Sequence, residues 1–162
     1  LQNLTDLGDT IAAIAPVAGT MAKPMSESLK PPRAMPVVYF HGTEDKIVGV
    51  EGTDLFTKRA ISLSAADVAA WWAKHNGCAD EPQVEKLPDQ SDDGTTVERK
   101  TFAAGKSGAP VIFYEIHGGG HTWPGGNFQP EGLLGKTCRD INASEIIWEF
   151  FSKYSLPEWT GK

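Results

Sequence analysis

Long apolar runs are missing from this 162-residue chain; none approaches the roughly 20 residues that a membrane-spanning helix requires. Basic clusters are missing as well. Fifteen Lys and Arg against 21 Asp and Glu leave a net charge of −6, which disfavours nucleic acid and anionic membrane as partners. Cysteine is scarce: Cys78 and Cys138 allow at most one internal disulfide and say little about compartment. No charged segment leads into an apolar core, so no secretory leader is expected within these residues. There is no initiator Met, and the sequence reads as opening on Leu1 in mid-structure. Internal repeats are absent, and the one biased stretch is residues 22–36, which holds four of the eleven prolines. What remains is an ordinary globular composition, 40% hydrophobic, of a length that suits one domain with a substantial core.

The chain alternates buried-strand signals with helical ones, an α/β order. Residues 1–10 read as the end of a helix, with Gly8 as its breaker. Ile11–Val17 is a short apolar run, expected as a strand buried on both faces of a parallel sheet. The proline-rich 22–36 is expected as a surface loop. Val37–Phe40 is the next strand, and 53–60 a helical turn. A clearer helix starts at Ser64, whose capping box with Asp67 is followed by Val68, Trp71 and Trp72 as a core stripe and by the stop signal Asn76–Gly77. Val84–Leu87 and Thr95–Phe102 form an expected hairpin through Asp92–Asp93–Gly94, read as a solvated excursion from the sheet. Val111–Ile116 is the last strand. Asn142 with Glu145 caps a final helix carrying Ile146, Ile147, Phe150, Phe151 and Tyr154.

The chemistry gathers where two of these strands end. His41–Gly42–Thr43–Glu44–Asp45 follows the strand at 37–40, and three glycines, Gly118–Gly120, deliver His121 after the last strand. Open α/β sheets place their sites at the carboxyl ends of strands. An aspartate that accepts the Nδ1–H of a histidine fixes its tautomer and leaves the other nitrogen free to take a proton from a nucleophile. Asp45 and His121 are therefore the candidate acid and base, in the Asp-then-His order of the α/β-hydrolases. An acidic residue in a turn is more often a simple turn former; the pairing is what singles out Asp45. His117 and His121 stand at i, i+4, a zinc spacing on a helix only, and the intervening glycines and the lack of a third ligand argue against it. No metal and no other cofactor is expected. His41 and His75 read as structural.

Five segments carry a resemblance: AAIAPVAGTM (Ala12–Met21), HGTEDKIV (His41–Val48), WWAKHNGC (Trp71–Cys78), GGGHTWPGG (Gly118–Gly126) and DINASEIIWEFF (Asp140–Phe151). Together, in order and over nearly the whole chain, they resemble the poly(3-hydroxybutyrate) depolymerase and feruloyl/acetylxylan esterase group, secreted serine esterases of the α/β-hydrolase fold. The resemblance implies Asp45 as triad acid, His121 as general base, and an ester substrate, with secreted or periplasmic localisation. It also implies Trp123 as a lining of the acyl or polyester cleft; a tryptophan that only props the loop is an equal reading. The departure is a missing nucleophile. No G-x-S-x-G occurs, and Gly105–Lys106–Ser107–Gly108 lacks the spacing. In the family the serine elbow lies about one helix before the IAAIAPVAG strand, which places it ahead of Leu1.

The expected fold is thus the C-terminal portion of an α/β-hydrolase sheet, with about three parallel strands, flanking helices and a hairpin excursion, residues 1–162 forming part of a single domain. Three functions compete: part of an active serine esterase, an inactive truncated fragment, and a module that complements an N-terminal half. The strand at 11–17 would lack its neighbour on one side, so self-association or pairing with that half is expected. The family often has a disulfide from the position of Cys78 into the hairpin region, where this chain has no second cysteine. A Cys78–Cys138 bridge is disfavoured because Cys138 lies beyond the histidine loop.

Overall fold

The computed structural model describes residues 8, 10–53, 59–127 and 129–156. Its elements, in order, are α1 (Lys23–Ser28), β1 (Val37–Gly42), α2 (Ala65–Asn76), β2 (Gln83–Lys86), β3 (Thr96–Phe102), β4 (Val111–His117), α3 (Glu131–Leu134) and α4 (Ala143–Phe151). The four strands form one mixed sheet in the order β1-β4-β3-β2, an α/β-type arrangement. β1 and β4 run parallel, with Tyr39 opposite Phe113 and Gly42 opposite Ile116.

Period-2 alternation divides the core between the two sheet faces. Val37, Tyr39, Val111 and Phe113 meet Val68 and Trp72 of α2 on one face. Val38, Phe40, Tyr114 and Ile116 meet Phe150 of α4 on the other. Aromatic pairs tie β1 to β4 on both sides, Tyr39 on Phe113 with centroids 5.0 Å apart and Phe40 on Tyr114 at 4.9 Å. Since Trp72 is 1% exposed, Trp72→Ala should cost about 3–5 kcal/mol, read as a lowered urea midpoint with unchanged slope.

The helix boundaries follow their caps. Ser64 Oγ accepts the Asp67 N–H at 3.0 Å, and Gly77 closes α2 at φ 65°. Asn142 Oδ1 accepts the N–H groups of Ser144 and Glu145. Of the expected stripe on α4, Phe151 is instead 36% exposed, and Trp148 beside it 74%. Within the proline-rich stretch lies a helix, α1, not a plain loop: Pro24 falls in its first turn, where no N–H is needed. Met21, Leu29 and Met35 around it are buried. Among the described residues no helix is long and apolar enough to cross a membrane. The expected helix end at 1–10 lies almost wholly outside the described residues, as does most of the helical turn at 53–60.

Two expectations need correction. The segment 11–17 does run parallel beside β1, but through isolated bridges at Ile14 and Val17. Pro16 has no N–H to give, and only Ile14 and Ala18 donate to β1's side. Its residues are mostly half-buried, not covered on both faces. Nor is the hairpin an excursion. β3 pairs along its length with β4, and β2 with β3, so both extend the sheet antiparallel. The charged run that reads as solvated is satisfied across strands: Lys100 Nζ lies 2.5 Å from Glu115, and Arg99 meets Glu85. Val97 and Phe102 meanwhile enter the core on opposite faces.

The turn between β2 and β3 is fastened by Asp93. Its carboxylate accepts the Thr95 N–H and Oγ1–H on one oxygen and the Arg139 N–H on the other. Burial pushes the carboxyl up, but the hydrogen bonds from Thr95 and Arg139 outweigh it and hold the group below its ordinary value. A depressed carboxyl stabilises the fold above the unfolded pKa, and loses that contribution as pH falls through the folded one. Asp93→Asn should therefore lower the urea midpoint at about pH 6, with the difference from wild type shrinking toward about pH 2.

Candidate active site

Parallel pairing of β1 and β4 brings two loops out at the same sheet edge. After Gly42, Thr43 N–H donates to the Ile116 carbonyl and Glu44 N–H to that of Gly119. In return, Gly118 N–H donates to Thr43 Oγ1 at 2.9 Å. The contact is backbone against backbone: a Cβ on Gly42 would lie 2.3 Å from the Gly119 carbonyl oxygen. Beyond the glycines, His121 N–H donates to the Leu134 carbonyl, which anchors the loop to α3.

That interlock sets the distance between the two candidate residues, 76 positions apart in the chain. The Nδ1–H of His121 donates to Asp45 Oδ2 at 2.8 Å. Asp45 has no exposed side-chain surface, whereas the His121 side chain is 30% exposed. Asp45 Oδ1 accepts the N–H groups of Ile47 and Val48, each at 2.8 Å, so three N–H donors converge on the carboxylate. Among the described residues the Nε2 of His121 has no hydrogen-bond partner. The arrangement can hold a proton on Nδ1, stabilise an imidazolium, and exchange a proton with a group arriving at Nε2.

Trp123 stands two residues further on and is 42% exposed. Its Nε1–H donates to Ser144 Oγ at 3.0 Å, and its backbone is clamped by the Gln129 amide. The indole is thus both tethered to the first turn of α4 and open to solvent. Ser107 lies in the loop before β4, at the opposite end of the strand from His121, and donates to the Asn76 carbonyl. The 490 Å³ cavity beside α1 is lined by Ala22, Pro24, Met25, Ser28 and Leu29 and takes in neither Asp45 nor His121.

The remaining candidates separate cleanly. His75 stacks on Trp71 and bonds the Arg33 carbonyl. His117 lies with Glu98 and Glu115, the one group among the described residues that could hold a divalent cation, its three donor atoms within 4.8 Å. Lys100 already sits against the same Glu115 oxygen at 2.5 Å, so the group reads as cross-strand ion pairing. Cys78 and Cys138 are free thiols on opposite sheet faces, and burial pushes both above the ordinary thiol value. His41 was less visible in the sequence. It ends β1 with 1% exposure, and its Nε2 is 3.7 Å from Asp45 Oδ2. Its position one turn ahead of Asp45 was the available signal.

No family model matches the chain. It is 29% identical over 152 residues, 88% of its length, to NocK of Nocardia uniformis subsp. tsuyamanensis, a protein named as an esterase, of which it covers 44%. To feruloyl esterase B of Piromyces equi it is 31% identical over 156 residues, 93% of its length, covering 24% of that protein. The chain therefore spans less than half the length of either curated relative. Similarity to these two proteins supports an esterase family for the chain.

Proposed function

We propose that this chain carries the acid and base of a serine-type carboxylic ester hydrolase of the α/β-hydrolase fold. The observation that carries the reading is the 2.8 Å bond from His121 Nδ1–H to a fully buried Asp45 carboxylate, with Nε2 left open. A serine hydroxyl at Nε2 would lose its proton to His121 while attacking the ester carbonyl. The imidazolium, held by Asp45, would return that proton to the leaving alcohol. Water, deprotonated in turn by His121, would release the acid from the acyl-enzyme.

The nucleophile is assigned to a segment outside residues 1–162, because the sequence has no G-x-S-x-G and Ser107 is at the wrong end of the sheet. The edge of 11–17 suits such a segment. No backbone hydrogen bond among the described residues engages Ala13, Ala15 or Val17, so those groups are available to a neighbouring strand. A second copy pairing at this edge would be the alternative, read by sedimentation. Polyesters of the poly(3-hydroxybutyrate) type and feruloyl or acetyl esters of plant polysaccharide are the proposed substrates, with a secreted or periplasmic setting, and Trp123 as an apolar wall of the cleft.

The test is hydrolysis of p-nitrophenyl butyrate by the chain alone and by the chain joined to a strand–GxSxG–helix segment. The reading expects activity only in the joined protein. Ester hydrolysis by the chain alone would contradict the external serine, and an inactive but folded joined protein would favour a module without chemistry.

A further inference from the structure

A row of hydrogen bonds crosses the sheet edge behind Asp45, and its proton count is informative. The Val48 carbonyl lies 2.8 Å from His41 Nε2, His41 Nδ1 lies 2.8 Å from the Tyr39 hydroxyl, and that hydroxyl lies 2.7 Å from the Gly19 carbonyl. Both ends of the row are carbonyl oxygens, which only accept. Three contacts therefore need three protons. Tyr39 brings one, and burial, with Asp45 nearby, pushes its hydroxyl far above the ordinary value, so it keeps that proton. A neutral His41 brings one more, and one contact is left as lone pair against lone pair. Both residues are 1% exposed, so no solvent relieves that repulsion. A His41 protonated on both nitrogens brings two and satisfies the whole row.

We propose that His41 is held as a buried imidazolium, a standing cation that balances Asp45 and positions it for His121. Its Nε2 is 3.7 Å from Asp45 Oδ2, with neither side chain exposed. The ionisable groups facing it are Tyr39 on its own strand, Glu115 opposite it on β4 with Lys100 as its ion-pair partner, and Asp45 on the following loop, with His121 on the other side of the same carboxylate. Glu115 is already matched by Lys100, so Asp45, 3.7 Å from Nε2, is the counter-charge left to His41 among the described residues. The same imidazolium clasps the loop: Nε2–H holds the Val48 carbonyl while the Val48 N–H holds Asp45 Oδ1. With one cation already beside the buried carboxylate, His121 need not carry a second proton to balance it, and rests as the neutral base that ester hydrolysis requires. This functional meaning rests on the esterase reading; the protonation state does not.

Imidazole nitrogens report their protonation directly in long-range ¹H–¹⁵N correlation spectra of the uniformly labelled, folded full chain. At about pH 8, above the ordinary histidine range, His41 is expected to show two protonated nitrogens and His121 one protonated and one bare. A bare-nitrogen signal from His41 would overturn the imidazolium. For the positioning role, His41→Gln keeps polar groups but no charge. In that variant, with the fold verified by retained methyl dispersion, the Nδ1–H signal of His121, expected in the wild-type chain from its bond to Asp45, should be lost to solvent exchange. Its retention would overturn that role. Failure of the joined protein to hydrolyse esters would remove the esterase reading while leaving both spectra as expected, so the two failures are distinguishable.

Discussion

Asp45→Asn should lower ester turnover about 10⁴-fold in a protein that unites this chain with its nucleophile. The amide is nearly isosteric, but its NH₂ can turn toward the imidazole and stabilise the wrong tautomer, with Nδ1 bare and the proton on Nε2 facing the serine. Because Asp45 Oδ1 also accepts the N–H groups of Ile47 and Val48, the amide oxygen is expected to stay on that side and the NH₂ to face His121. KM should change little, since the residue is buried away from substrate. Steady-state kinetics on p-nitrophenyl butyrate would show this split; a loss in KM alone would mean that Asp45 shapes binding and not proton transfer.

Gly42→Ala should also have a large effect, and through geometry alone. The added Cβ would meet the Gly119 carbonyl oxygen at 2.3 Å and that of Gly120 at 2.6 Å, and both partners are backbone. The two loops must separate, although neither Asp45 nor His121 is altered. A displacement of about 1 Å in such a pair costs on the order of 10²-fold in rate. The variant should keep its sheet by circular dichroism and lose the His121 Nδ1–H signal.

The approach of Asp45 to His121 was more legible than the sheet around it. Asp45 and His121 follow short runs, Val37–Phe40 and Val111–Ile116, whose length and β-branched and aromatic content favour strand over helix. Parallel neighbours necessarily release their loops at one edge. The caps at Ser64 and Asn142 are local hydrogen-bond patterns and were equally clear. What failed depended on partners far along the chain. Glu98, Arg99 and Lys100 look like a solvated ribbon until Glu85 and Glu115 are brought opposite them. Ile11–Val17 looks like a full strand because composition does not weigh the N–H that Pro16 lacks. Met25 and Leu29 turn the proline-rich stretch into α1 by packing toward α2, which no local pattern announces. His41 passed as structural because its significance is a count of protons between Gly19, Tyr39 and Val48, residues that only folding assembles.

The central claim is that His121, oriented by Asp45, moves the proton in ester cleavage by a serine supplied outside these residues. Its most direct measurement is the rate of p-nitrophenyl butyrate hydrolysis by the joined protein with His121 intact and with His121→Ala. The account predicts serine-dependent hydrolysis in the first and a fall of about 10⁴-fold or more in the second; equal rates in the two proteins would contradict it.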